Sequence, residues 1–230
     1  MSTWSVWRMA RVVASIFVLM VASYYLVVAF DNITNPVNPN GSNWPFVQGV
    51  ISGDGVPADS GFDWRFIDAT WFQALGYAGV IAGESITGIL LLIAGVKGLR
   101  ASRTCPRWGH TQKWTYAGGI VGLAVFFFGF MVVGGNWFIM YLNSKWNGLE
   151  PAFQNAVMTM FMLVFVTGVL IGGHLAHEHE DSKTPKHPIN RTPVKRALTA
   201  RRSLGARVLV VKPTESPGFT TKTCALRQDT

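Results

Sequence analysis

The sequence predicts an all-α membrane protein, a four-transmembrane-helix bundle in the N-in/C-in orientation with a long aromatic outer loop and a disordered, basic C-terminal tail. Three observations predict it. Half of the 230 residues are hydrophobic (49%) and only 14% are charged, with the apolar residues gathered into four long blocks. Lysine and arginine collect at one side of those blocks, and tryptophan sits at their ends. A bilayer core about 30 Å thick takes roughly 20 helical residues at about 1.5 Å each. Residues 9–30, 74–99, 116–137 and 152–175 satisfy that length.

The first block follows Arg8 and Arg11, as a signal peptide would, but its apolar run exceeds the ~7–15 residues of a signal sequence, so it reads as a retained span. Orientation follows from the basic residues, because short basic loops resist translocation. Arg8 and Arg11 flank the start of the first span. Lys97, Arg100, Arg103, Arg107 and Lys113 separate the second from the third, and Lys183 and Lys186 follow the fourth. The opposite loops hold only Arg65 and Lys145. Indole rings prefer the headgroup level. Trp4, Trp7, Trp108 and Trp114 would form an inner belt, and Trp44, Trp64, Trp71, Trp137 and Trp146 an outer one.

The formal charge of +8 does not point to nucleic acid, since the basic residues flank the apolar blocks and fill the last fifty positions. They read as topology determinants and contacts to anionic lipid. Cys105 and Cys224, the only cysteines, fall in segments assigned to the cytoplasm, so no disulfide framework is expected.

The long outer loop, residues 31–73, opens with a turn-rich Asn/Pro stretch, carries Asp31, Asp54, Asp59, Asp63 and Asp68, and is rich in aromatics. Two readings stand side by side: a segment lying on the membrane or capping the bundle, and a solvated loop. Asn32-Ile-Thr and Asn40-Gly-Ser fit a glycosylation pattern that is common by chance. The chain divides into a transmembrane domain, residues 1–176, and a tail, residues 177–230, whose composition reads as disordered. Within the tail, residues 207–211 read as a short strand or partner-binding stretch.

Glu84 falls near the middle of the second span, where an ionised carboxylate without a partner costs several kcal/mol. It must be protonated, hydrogen-bonded or turned to a polar cavity, and Asn136, Thr87 and Ser85 are its expected neighbours. A neutral acid bonded to a neighbouring helix is the plainer expectation, because no second charge lies in the spans to complete a relay. Asn136, Trp137, Trp146 and Asn147, with Asn143, form a polar and aromatic corner after the third span. It reads either as a binding site or as a helical hairpin whose turn is capped by Asn and Gly and closed by Pro151. Small residues recur at Gly79/Gly83/Thr87, Gly118/Gly122 and Gly168/Gly172, the spacing that lets helices approach closely in lipid. His174, His177 and His179 are weak metal candidates, and a solvated helix end accounts for them more simply. No phosphate-binding glycine loop, Gly-x-Ser-x-Gly elbow or Cys-x-x-Cys pair occurs. No catalytic residue, cofactor or metal site is therefore assigned.

Phe46-Val-Gln-Gly-Val-Ile-Ser-Gly-Asp54, the Glu84 helix from Tyr77, Gly129-Phe-Met-Val-Val-Gly-Gly-Asn-Trp-Phe-Ile-Met140, Ser144-Lys-Trp-Asn-Gly148 and Ala152-Phe153 resemble the bacterial predicted small integral membrane protein family, domain of unknown function 2165. The likeness runs from about Arg8 to His174. It implies four spans and a bacterial inner membrane, and brings no established activity. The family pattern favours His at position 49 and Glu at position 136, where this chain has Gly49 and Asn136. A function carried by those side chains would be lost or altered here.

The leading functional expectation is a non-catalytic accessory or assembly subunit of a larger membrane complex, its partners being the lipid bilayer and other membrane subunits or further copies of itself. The alternative is a small-solute or proton-coupled transporter using Glu84. A third class, a redox or metal-binding membrane enzyme, would need the histidines to hold metal or haem.

Overall fold

A computed structural model describes residues 3–37 and 43–183, and of residues 3–5, 177 and 180–183 the backbone alone. The Asn40 glycosylation pattern, the tail from residue 184 with Lys186, the 207–211 stretch and Cys224, and the side chains of Trp4 and His177 lie outside what it describes. The chain divides into two units after His174. The first is a helical bundle: α1 (Thr3–Thr34), the short α2 (Asn43–Ser52), α3 (Thr70–Ala101), α4 (Cys105–Leu123) running on into a π-helical segment (Ala124–Trp137), and α5 (Leu149–Lys183) as far as His174. In the second unit the described backbone is the continuation of α5 to Lys183.

Four helices are long and apolar enough to cross a membrane: Val6–Thr34, Thr70–Ala101, Cys105–Trp137 and Leu149–Ala176. Their outward faces carry large apolar side chains, among them Val27 (66% exposed), Phe30 (67%), Ile120 (65%) and Val164 (65%). Contiguous apolar surface of this kind would aggregate in water and is solvated by hydrocarbon.

Inside the bundle the approach of helices is set by glycine. A side chain at Gly88 or Gly95 of α3 would collide with Leu26 or Leu19 of α1, one at Gly118 of α4 with Leu90 and Leu91, and one at Gly119 with Leu163 of α5. With no hydrophobic drive between helices in lipid, this close van der Waals packing holds them together. The small-residue stripes seen in the sequence are thus largely used within the chain, although Gly79 and Gly168 face open space. Val18, Leu91, Met162 and Val166 are fully buried members of the apolar core that the helices share.

At one end, α3 and α4 are joined by a turn of only a few residues, shorter than the connection the apolar pattern suggests. Pro106 in the first turn of α4 starts the helix where its missing N–H costs nothing. Trp108 therefore does not face the headgroups; it is fully buried, its Nε1 donating to Ser15 Oγ at 3.0 Å. Arg11 is also buried, and its Nε donates to the Ser102 carbonyl (2.9 Å) just past the end of α3, where helix carbonyls lack partners. Cys105 is a buried free thiol.

At the other end, α2 folds over the bundle. Its Gly49, Val50 and Ile51 are buried, the Gly49 backbone lies flat on the Trp146 indole with no room for a side chain, and Val50 and Ile51 pack with Phe138 and Met140. The Ile67 amide donates to the Ile51 carbonyl (3.0 Å), fixing the return strand of chain against α2. The hairpin into α5 is equally knitted: Asn143 Oδ1 accepts the amides of Lys145 and Trp146, and its Nδ2 donates to the Asp54 carbonyl at 2.9 Å.

The π-helical segment is the departure from an ordinary span. The Phe138 amide bonds to the Val133 carbonyl, five residues back, at 3.0 Å. The wider turn is rare and costs packing. Gly129, Gly134 and Gly135 reduce the bulk it has to accommodate, and the stacked Phe126 and Phe130 rings (centroids 5.5 Å apart) fill part of its inner side.

Candidate functional site

Glu84 is the buried acid of the bundle, 2% exposed. The antiparallel pairing of α1 with α3 brings the last turn of α1 beside it, and Asn32 Nδ2 donates to Glu84 Oε2 at 2.6 Å. Two turns earlier on α3, Tyr77 donates its hydroxyl to the Asn32 carbonyl, also at 2.6 Å, so the amide is itself held in position. Asn32 is 7% exposed, and its nitrogen belongs to this pair, which leaves it unsuited to carrying a glycan. One turn beyond Glu84, Thr87 is fully buried and its hydroxyl has no hydrogen-bond partner among the described residues. Next to it the Tyr25 hydroxyl pairs with Thr159 Oγ1 of α5 at 2.7 Å. Gly122 permits this crowding, since a Cβ there would lie 2.6 Å from the Tyr25 hydroxyl and 3.1 Å from Thr87 Cγ2.

Above this group lies a pocket of about 190 Å³ with Asn32, Asn43, Tyr77, Glu84 and Asn155 among its walls and Phe46, Phe126 and Phe130 as its aromatic side. Among the described residues no lysine, arginine or histidine lines it. Among the described residues Asn32 alone bonds the Glu84 carboxyl, through Oε2; Oε1 takes no hydrogen bond. Chemically the pocket can accept a hydrogen bond or receive a cation. It contains no nucleophile–base pair.

The sequence candidates separate in space. Asn136 does not face Glu84. It is exposed, its Nδ2 is turned back to the Met131 carbonyl (3.0 Å), and its own carbonyl accepts from Arg65 Nη1 at 3.2 Å. The π-helical turn rotates it outward. Trp137 is half exposed and meets Trp64 edge to face (centroids 5.9 Å apart), with the Arg65 guanidinium over both rings. Trp146 lies beneath α2 and donates Nε1 to Asp54 Oδ2 at 3.1 Å. Lys145 Nζ reaches the same oxygen at 2.8 Å, and these two donors, Lys145 foremost, hold the Asp54 carboxyl below its usual titration range. The tie from hairpin to loop therefore persists to lower pH than a lone carboxylate would allow. Asn147 Oδ1 accepts the Leu149 amide (3.2 Å) and starts α5. Trp146 and Asn147 thus build the hairpin. Ser85 is half buried beside Glu84 without bonding it. Among the described residues no three His, Cys, Asp or Glu side chains gather to hold a metal.

Asn32, Tyr77 and Asn155 are not among the neighbours the sequence suggested for Glu84; Asn32 stood out there only as a glycosylation pattern. Asn32 ends the first apolar block and looks like loop, and only the antiparallel return of α3 reveals that it sits at the depth of Glu84.

No curated protein and no solved structure matches the chain. A family model described as predicted small integral membrane protein matches residues 10–168, from the second turn of α1 to the middle of α5, and so takes in every element that shapes the pocket. The chain belongs to that family, domain of unknown function 2165.

Proposed function

We propose that the protein is a non-catalytic accessory component of the bacterial inner membrane, in the N-in/C-in orientation, whose recognition element is the Glu84 pocket. The observation that carries this reading is a carboxyl group secured on one side only, with Oε2 tied to Asn32 while Oε1 has no bond among the described residues, beside a mainly apolar pocket that three asparagines and a tyrosine also line. An oxygen open to the pocket can take a hydrogen bond from a group that enters it. The fully buried apolar side chains of Val18, Leu91, Met162 and Val166 belong to the core on the α3–α4 side of Glu84, which favours holding a group over passing it through.

One observation favours the transporter alternative. The unpartnered Thr87 hydroxyl and the Tyr25–Thr159 pair extend the polar group a turn deeper than binding requires. A single substitution separates the readings. Affinity purification of the full chain in mild detergent, with identification of everything retained, is expected to recover a bound component that Glu84→Gln loses while solute and proton flux in vesicles stays unchanged. Flux abolished by Glu84→Gln would establish the transporter instead. Recovery of bare homo-oligomer from both proteins would dismiss the accessory reading.

A further inference from the structure

The cleft beside the Glu84 pocket points to a class of ligand. A space of about 440 Å³ lies between α3 and the π-helical segment, roofed by α2. α3 packs along α4 but touches the π-helical segment at few places. Val125 packs directly against Gly83, whereas one turn away a Cβ added at Gly79 would meet no atom within 4 Å. Every residue lining the space is apolar. Its volume lies within the ~300–1,000 Å³ of small-molecule sites and far beyond the voids that close-packed interiors contain. Water does not fill so apolar a space, and in a bilayer hydrocarbon does.

Phe46, Val47, Val80 and Phe130 line both this cleft and the Glu84 pocket. The partition between the spaces is thus largely the stacked Phe46–Phe130 pair, with ring centroids 6.1 Å apart. On one side is a hydrocarbon-sized slot; on the other are a carboxyl oxygen without a bond, three asparagines and a tyrosine. Among the described residues no cationic one lines either space. An acid or phosphate head would find no counter-charge, whereas a hydroxyl or ammonium would donate directly to Glu84.

Taking the Glu84 pocket as a binding site, we infer that the two spaces together hold one single-chain amphiphile, its chain in the cleft and a hydroxyl or amine head at Glu84. The test uses the full-length protein in phosphatidylcholine nanodiscs and terminally brominated dodecanol, dodecylamine and dodecanoate as quenchers of tryptophan fluorescence, since Trp146 abuts Phe46 and Trp44 abuts Tyr77. Saturable quenching is expected from the alcohol and the amine, with the carboxylate weaker by about tenfold or more. Gly79→Leu, whose Cβ meets no atom within 4 Å and whose branch extends into the slot, is expected to abolish saturation while keeping the unfolding temperature. Glu84→Gln is expected to weaken the alcohol and the amine to the level of the carboxylate, so that the preference is lost. Saturation unchanged in Gly79→Leu, equal quenching by all three probes in the wild type, or saturation by none would overturn the inference. If Glu84→Gln abolishes retention of the purified component while Gly79→Leu changes nothing, the pocket stands as a site for a chainless ligand and this inference alone falls.

Discussion

The pocket is organised by one amide. Asn32 uses its side chain to hold Glu84 Oε2 and its carbonyl to receive Tyr77, so a single residue fixes the acid and the roof above it. Removing it leaves a carboxyl in an apolar setting with no donor from the protein, and an orphaned buried polar group costs about 1–3 kcal/mol. Asn32→Ala is therefore expected to lower stability by that amount in detergent unfolding, whereas Asn136→Ala, at an exposed turn, changes it little. Equal effects from the two would mean that Glu84 is not held from α1. Glu84 itself was legible in the sequence, because a carboxylate in an apolar block is anomalous wherever it sits. Its partner was not, since Asn at the end of a span looks like any loop-forming residue until the register of the neighbouring helix is known.

At the level of elements, the four apolar blocks specified four helices because length and hydropathy alone decide what crosses a bilayer. The details came from packing that apolarity does not report. Trp108 reads as an interfacial ring by its position, yet the short α3–α4 turn draws it inward to Ser15. The widening of the third span into a π-helix leaves no mark in the hydropathy of residues 124–137, and it is what turns Asn136 outward and opens the cleft beside α3. The glycine stripes were legible as close contacts but not as to which glycines make them. Gly122 and Gly168 are the clearest contrast: a Cβ at the first strikes the Tyr25 hydroxyl, and at the second meets nothing within 4 Å. Gly122→Ala is expected to cost about 1–3 kcal/mol through overpacking and the displaced Tyr25–Thr159 bond. Gly168→Ala is expected to be neutral or to stabilise by up to about 1 kcal/mol through reduced backbone entropy. Parallel unfolding series in detergent would check the pair, and similar losses at both positions would contradict the helix contacts described here.

For the molecule as a whole, the two ends of the bundle differ in charge and in construction, and orientation decides which environment the pocket meets. The α3–α4 end carries Lys97, Arg100, Arg103, Arg107 and Lys113, with the Lys97 and Lys113 ammoniums 5.1 and 5.6 Å from the centre of the Trp114 ring, an arrangement suited to a headgroup layer. The α2 end carries Arg65, spent on aromatic rings and carbonyls, and Lys145, spent on Asp54. Because free basic residues near span ends resist translocation, the α3–α4 end should stay in the cytoplasm, leaving the cap and the Glu84 pocket facing the periplasm. Single cysteines at two exposed positions, Asp59→Cys beside the cap and Arg103→Cys in the turn, test this when Cys105 and Cys224 are replaced by serine. A membrane-impermeant maleimide applied to spheroplasts is expected to label position 59 at once and position 103 only after permeabilisation. The opposite pattern would invert the topology and have the pocket draw its ligand from the cytoplasmic leaflet. The bundle itself would survive that result, because its internal contacts are indifferent to which side is which; the source of whatever reaches Glu84 would not.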